Sequence, residues 1–143
     1  MGFRYLEEIS TSDVAFSAWG KTKQELFLAA AEATLFLMLD NPEAVKEKES
    51  IDINLENDNL EMLLFDYLQE LIFYKDAKQL LLKSTKPKIK ETDQGFLLKS
   101  KLKGERLDPQ RHHLNADIKA VTLHQFKIEK NKDNWKATVV LDV

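Results

Sequence analysis

No cysteine occurs anywhere in the chain, and that absence removes disulfide frameworks, thiolate zinc sites and thiol nucleophiles together. A large excess of one charge is missing too. The 24 acidic side chains against 21 lysines and arginines give a formal net charge of −3, so the protein as a whole is not an electrostatic nucleic-acid binder, and no DNA partner is expected. Contact with RNA then requires a local basic patch. No apolar run approaches the ~18 residues of a membrane span, and Met1-Gly-Phe-Arg begins nothing like a signal peptide. A cytoplasmic protein without a membrane partner is expected. Gly2 is not read as a lipid-attachment site, because Leu6 stands where a small hydroxyl residue is needed. A nucleophile with a neighbouring base is also lacking, which argues against catalysis by the chain itself.

What is present fits a single compact domain, residues 1–143, in which 43% of the side chains are hydrophobic. Residues 3–9 mix aromatic and β-branched side chains and read as a first strand, and the alternation over 14–19 predicts a second, ended by Gly20. Thr22-Lys-Gln-Glu25 is a capping box opening a helix to about Leu39, with Leu26, Phe27, Ala30, Ala33, Thr34 and Leu37 at helical spacing. Asp40-Asn-Pro stops it. Residues 43–49 read as a solvated loop, and Ile51, Ile53 and Leu55 alternate with polar residues as a half-exposed strand. A second helix opens at Asp58-Asn-Leu-Glu61 and carries Leu60, Leu63, Leu64, Tyr67, Leu68, Leu71 and Ile72 on one face, a seam read as core. Six or seven strands and two helices follow. The expected class is α+β, two long helices packed on one face of a largely antiparallel sheet.

Four features invite a functional reading. The last strand, Trp135-Lys-Ala-Thr-Val-Val-Leu-Asp-Val143, places the Asp142 carboxylate beside the α-carboxyl of Val143, and such a pair calls for a hard cation or a lysine. Asp13 stands at the mouth of the second strand, either in an Asx-turn or looking out from the sheet end. From 84 to 104, Lys86, Lys88 and Lys90 share one phase, and Lys99, Lys101 and Lys103 share one on the return strand across Thr92-Asp-Gln-Gly95. These lysines read either as an edge guarded from aggregation or as a docking surface for an acidic partner or phosphate backbone. His112 and His113 lack a third ligand and are not read as a metal site. Residues 117–129 read as a strand with Ile118, Ala120, Thr122, His124, Phe126 and Ile128 in one phase, His124 being a hydrogen-bonded core or cleft residue.

Several stretches resemble the archease family: Arg4-Tyr-Leu-Glu-Glu-Ile, Ser12-Asp-Val, Ala18-Trp-Gly-Lys-Thr-Lys-Gln-Glu-Leu-Phe, Leu64-Phe-Asp-Tyr-Leu-Gln-Glu-Leu, Gly104-Glu, Asp117-Ile-Lys-Ala-Val-Thr-Leu-His-Gln-Phe and Val139-Val-Leu-Asp-Val143. They occur in family order over nearly the whole length. The resemblance implies a small non-enzymatic activator of an RtcB-type RNA ligase, the GTP- and manganese-using enzyme that joins exons in tRNA splicing. It implies promotion of ligase guanylylation and multiple turnover, with tRNA met only through the ligase. The family's metal-binding positions fall on Asp13, Asp142 and Val143, and a functionally important lysine falls on Lys119. An all-oxygen set of this kind suits calcium first, with magnesium or manganese as alternatives. Two rival readings stand beside it: a metal-dependent phosphohydrolase using Asp13 and Asp142, and an RNA-binding or chaperone module using the lysine hairpin.

Overall fold

The computed structural model describes residues 1–6 and 12–143. In chain order the elements are β1 (Gly2–Tyr5), β2 (Asp13–Gly20), α1 (Lys23–Met38), β3 (Glu49–Asn57), α2 (Leu60–Lys78), β4 (Leu80–Ser84), β5 (Lys88–Thr92), β6 (Gly95–Arg106), β7 (Ala120–Asn131) and β8 (Asn134–Asp142). Within the described residues the first strand runs over Gly2–Tyr5, and residues 7–9 of the expected 3–9 lie outside the described residues.

The caps form much as their sequences dictate. Thr22 accepts a hydrogen bond from the Glu25 N–H and starts α1. At α2 the cap is Asn59, whose side chain accepts from the Met62 N–H, one residue later than the expected Asp58. Leu63, Leu64, Tyr67, Leu68, Leu71 and Ile72 are all buried on α2, so the apolar seam is core. Within the expected solvated loop a 3-10 turn spans Pro42–Ala44 and Val45 is buried.

The expectation of two long helices on one face of a single sheet is overturned. The strands form two four-stranded sheets, one ordered β1-β2-β8-β7, the other built on β6 with β3 along one side and β4 and β5 along the other. Every pairing among the described residues is antiparallel. The helices are of ordinary length, 16 and 19 residues. Among the described residues more of the chain is strand than helix. Both helices pack on strands of both sheets and form a layer between them.

The physical reason lies in α1. Besides the expected stripe, Ala29, Ala31, Leu35 and Met38 are buried, while Glu32 and Phe36 are exposed. A helix apolar nearly all round needs cover on more than one side, which one sheet cannot give. Each sheet therefore has an inner face toward the helices and an outer face turned away from them.

The free edge of β7 is satisfied by α2. Gln69 Oε1 accepts from the Val121 N–H at 2.7 Å, and Glu61 accepts from the Ile128 N–H at 2.8 Å. Edge N–H groups are thereby withdrawn from pairing with another chain. The strand is also interrupted: its register on β8 jumps between Thr122 and Lys127, and Gln125 adopts φ 54°. That irregularity breaks the single phase expected over 117–129 and leaves Leu123, His124 and Gln125 exposed. His124 is therefore a surface residue of a bulge, not a core or cleft residue.

Candidate functional site

Three adjacent strands bring the remote ends of the chain together. Along β2 and β8 the antiparallel register makes Asp13 the direct partner of Asp142, and on the other side of β8 the partner of Asp142 is Ala120. Directly paired residues put their side chains on the same face of a sheet. Ala15 and Val140 share the phase of Asp13 and Asp142, and although buried they stand outside the main core cluster. Both carboxylates thus belong to the outer face of the first sheet.

Main-chain hydrogen bonds tie this end closed. The Val143 N–H donates to the Ser12 carbonyl at 2.9 Å, and the Lys119 N–H donates to the Asp142 carbonyl at 2.8 Å. Asp13, Asp142, Val143 and Lys119 accordingly meet at one sheet end. Lys119 is exposed, while the other three are half-buried.

The segment before Lys119 is anchored by a residue that sequence reasoning missed. Lys75, only 11% exposed, donates to Asp117 at 3.0 Å and to the Ile118 carbonyl at 3.2 Å. Its hydrogen bond and then its charge hold the Asp117 carboxyl below the usual carboxylate range, with the Lys119 charge adding to the effect. Only the distance between α2 and this segment in sequence hid the contact.

The donor set of this end is all oxygen: two carboxylates and main-chain carbonyls, without imidazole or thiolate. Such donors fit a hard divalent cation. Among the described residues no three His, Cys, Asp or Glu side chains gather as a metal centre. Among the described residues, further oxygens for a cation at Asp13 and Asp142 would come from the main chain, with water or a partner able to complete the set. Two like charges at directly paired positions otherwise cost a few tenths of a kcal/mol or more.

The lysine rows lie on the outer face of the other sheet. Lys88 is the direct partner of Lys99, and Lys103 is the partner of Lys83 on β4 and of Ser50 on β3. Phe96, Leu98 and Leu102 take the opposite phase, as expected. Two details differ from a plain hairpin. Lys86 precedes β5, and the far half of β6 pairs with β4 rather than with β5. Lys83 joins the rows from another strand, and no local pattern could have revealed it.

His112 belongs to a structural clamp. Its Nδ1 accepts from the Asp108 N–H at 2.8 Å, which leaves Nε2 as the donor to Glu105 at 3.1 Å. Glu105, 3% exposed, also accepts from the Lys46 N–H at 2.7 Å and from Arg111. Burial alone would raise its pKa, but the Lys46, Arg111 and His112 hydrogen bonds, with the Arg111 charge, outweigh burial and hold it at about 2. A carboxyl depressed in the folded state stabilises above its unfolded value and ceases to do so as pH falls through its folded value. Acid unfolding of the wild type between about pH 4.3 and pH 2 is expected to contain this loss. Glu105→Gln should flatten that part of the pH–stability profile and lower stability at pH 7 by about 2 kcal/mol, measured by urea unfolding.

Comparison with known proteins adds a separate line of observation. The Archease protein family (MTH1598/TM1083) matches residues 3–143. The archease of Pyrococcus abyssi is 37% identical over 134 residues, covering 93% of this chain and 94% of its own. That of Methanosarcina mazei is 34% identical over 142 residues, covering 99% and 95%. The solution structure of Methanobacterium thermoautotrophicum protein 1598 superposes with a TM-score of 0.85 at 31% identity over 99% of both chains. A Thermotoga maritima archease described as a possible chaperone shares the fold, with a TM-score of 0.65 at 24% identity, covering 96% of this chain and 97% of its own. Identity above 30% across nearly the full length of both partners leaves one assignment: this protein belongs to the archease family.

Proposed function

We propose that this chain is a non-enzymatic accessory protein of an RtcB-type RNA ligase, raising the ligase's GTP-dependent guanylylation and its turnover in tRNA splicing. The observation that carries the reading is the pairing of Asp13 with Asp142 across β2 and β8, with the Lys119 N–H donating to the Asp142 carbonyl, in a chain of the archease family. Asp13, Asp142 and a main-chain oxygen of Val143 would hold a divalent cation, calcium, magnesium or manganese. When bound, such an ion supplies Lewis-acid stabilisation of phosphate charge.

The chain's own residues supply the rest. The Asp142 carbonyl fixes the backbone at Lys119, and Lys75 fixes the two residues before it. A lysine so placed offers a cationic donor to a phosphate of GTP or of the guanylylated ligase. Asp13 and Asp142 are half-buried rather than enclosed, so a partner could reach them. No nucleophile paired with a base stands beside them among the described residues, which favours an accessory role over hydrolysis.

The deciding experiment measures guanylylation of an RtcB-type ligase with GTP and manganese, with and without this protein. Faster guanylylation and more than one turnover per ligase are expected, with no hydrolysis of GTP by this protein alone. Equal ligase rates in both arms would overturn the reading. Suppression of aggregation of unrelated proteins without any effect on the ligase would instead support a general chaperone; the Thermotoga protein is described as a possible chaperone.

A further inference from the structure

The lysines of the second sheet are not explained by edge protection. Guarding an edge requires charge on an edge strand, and Lys88 and Lys90 on β5 meet that description. Lys99, Lys101 and Lys103 do not, because β6 is the central strand, with β3 on one side and β4 and β5 on the other. The arrangement also sets like charges face to face, Lys88 against Lys99 and Lys83 against Lys103, a pairing that destabilises a sheet. Compensation is sparse. Lys101 pairs with Asp52 at 3.4 Å, while Lys86, Lys88, Lys90, Lys99 and Lys103 have no ion pair among the described residues.

A chain whose acids outnumber its bases has therefore gathered lysine on one sheet face. Where β4 ends and β5 has not begun, the face dips into an open depression of about 420 Å³, lined by Lys86, Lys88, Lys99 and Lys101 together with Asp52 and Asn54. We propose that this face binds the phosphate backbone of folded RNA, without reading sequence. The lysines on each strand recur at every second residue, spaced about 6.7 Å apart, in rows that can follow a line of phosphates.

The face's composition selects this occupant. A protein partner needs apolar or aromatic anchors at the centre of its interface, and the exposed large hydrophobics, Tyr5, Phe36, Phe73, Leu114 and Leu123 among them, all lie elsewhere. A platform for single strands needs aromatic rings for stacking, and this face has none. Lysine rows alone give salt-dependent, sequence-independent contact with phosphates. The choice of RNA over other polyanions rests on the RNA-ligase reading above. That reading predicts tRNA contact only through the ligase, so direct binding goes beyond it.

The test uses the full-length protein without ligase and a tRNA transcript as probe, with affinity followed by fluorescence anisotropy over a series of potassium chloride concentrations. The variant is Lys99→Glu with Lys103→Glu. Each new glutamate faces a lysine, so the melting temperature should hold or rise. Binding of tRNA should weaken steeply with salt in the wild type. In the variant, affinity should drop at least about tenfold at low salt, with the salt slope smaller by about 2. No tRNA binding at low salt, or binding unchanged in the variant, overturns the proposal. So does polyglutamate binding as tight as tRNA and lost in the variant, which would mark an acidic-protein surface. Ligase guanylylation without RNA separates the two readings: the variant should stimulate it like wild type, and failure of both proteins to stimulate would count against the accessory role alone.

Discussion

Asp142→Ala is expected to abolish the cation-dependent part of this protein's behaviour while leaving the fold intact. Asp142 is the central member of the site, paired with Asp13 on β2 and with Ala120 on β7. Even outer residues of a metal site cost about 10–100-fold in affinity when removed. Loss of a direct ligand, the role proposed for Asp142, should cost at least about 100-fold by the same reasoning. A ligand that binds only the folded state stabilises by about 2.7 kcal/mol at 100 times its dissociation constant. For a chain of this size that corresponds to a rise of about 5–10 °C in melting temperature.

Wild type should show this rise on addition of calcium, and Asp142→Ala should show none. Without calcium the order reverses or vanishes. Removing one of two like charges at directly paired positions relieves repulsion, so the variant should melt at or slightly above the wild-type temperature. The variant should also lose stimulation of ligase guanylylation. A calcium-dependent rise retained in Asp142→Ala would move the cation elsewhere in the molecule.

Gly104→Ala should cause a large loss of stability. Gly104 lies where β6 is paired on both sides, with Glu49 of β3 and with Leu82 of β4. A Cβ there would overlap the Leu81 carbonyl oxygen and come within 2.9 Å of the Leu82 Cα. Both obstacles are backbone. The carbonyl of Gly104 is also held by the Lys48 N–H at 2.9 Å, so the strand cannot move aside without loss of hydrogen bonds. Overpacking typically costs about 1–3 kcal/mol when side chains can yield. Where only backbone can yield, about 3 kcal/mol or more is expected, a drop of about 10 °C in melting temperature by calorimetry. A melting temperature close to wild type would show that β4 and β6 separate more easily than their pairing implies.

Local chemistry was legible in the sequence, and partnerships between distant segments were not. The cap at Thr22, the start of α2 to within one residue and its buried seam follow from spacing and hydrogen-bonding groups within a few residues. The terminal strand and the turn at residues 93–94 were legible for the same reason. Division into two sheets was not, because it depends on which strands β6 recruits, and three segments, β3, β4 and β5, share that one strand. The only hint lay in α1, whose Ala29, Ala31, Leu35 and Met38 are apolar outside the expected stripe.

For the site, the residues at the chain's last strand marked Asp142 and Val143. Asp13 stayed open between an Asx-turn and an outward carboxylate until the family resemblance pointed to it, because the register that makes Asp13 and Asp142 partners spans almost the whole chain. The bulge between Thr122 and Lys127 hid the exposure of His124, since a periodic pattern assumes an unbroken strand. Lys75, Glu61 and Gln69 were invisible as positioning groups because their partners, in β7 and the segment just before it, lie more than 40 residues away in sequence.

The most direct test of the central claim, that β2 and β8 present two carboxylates to one cation, is manganese titration followed by amide resonances. Paramagnetic broadening should begin at Asp13, Asp142, Val143 and Lys119 and reach the lysine face of the second sheet last, and Asp142→Ala should remove it. Broadening that begins elsewhere, or that persists unchanged in Asp142→Ala, would contradict the site.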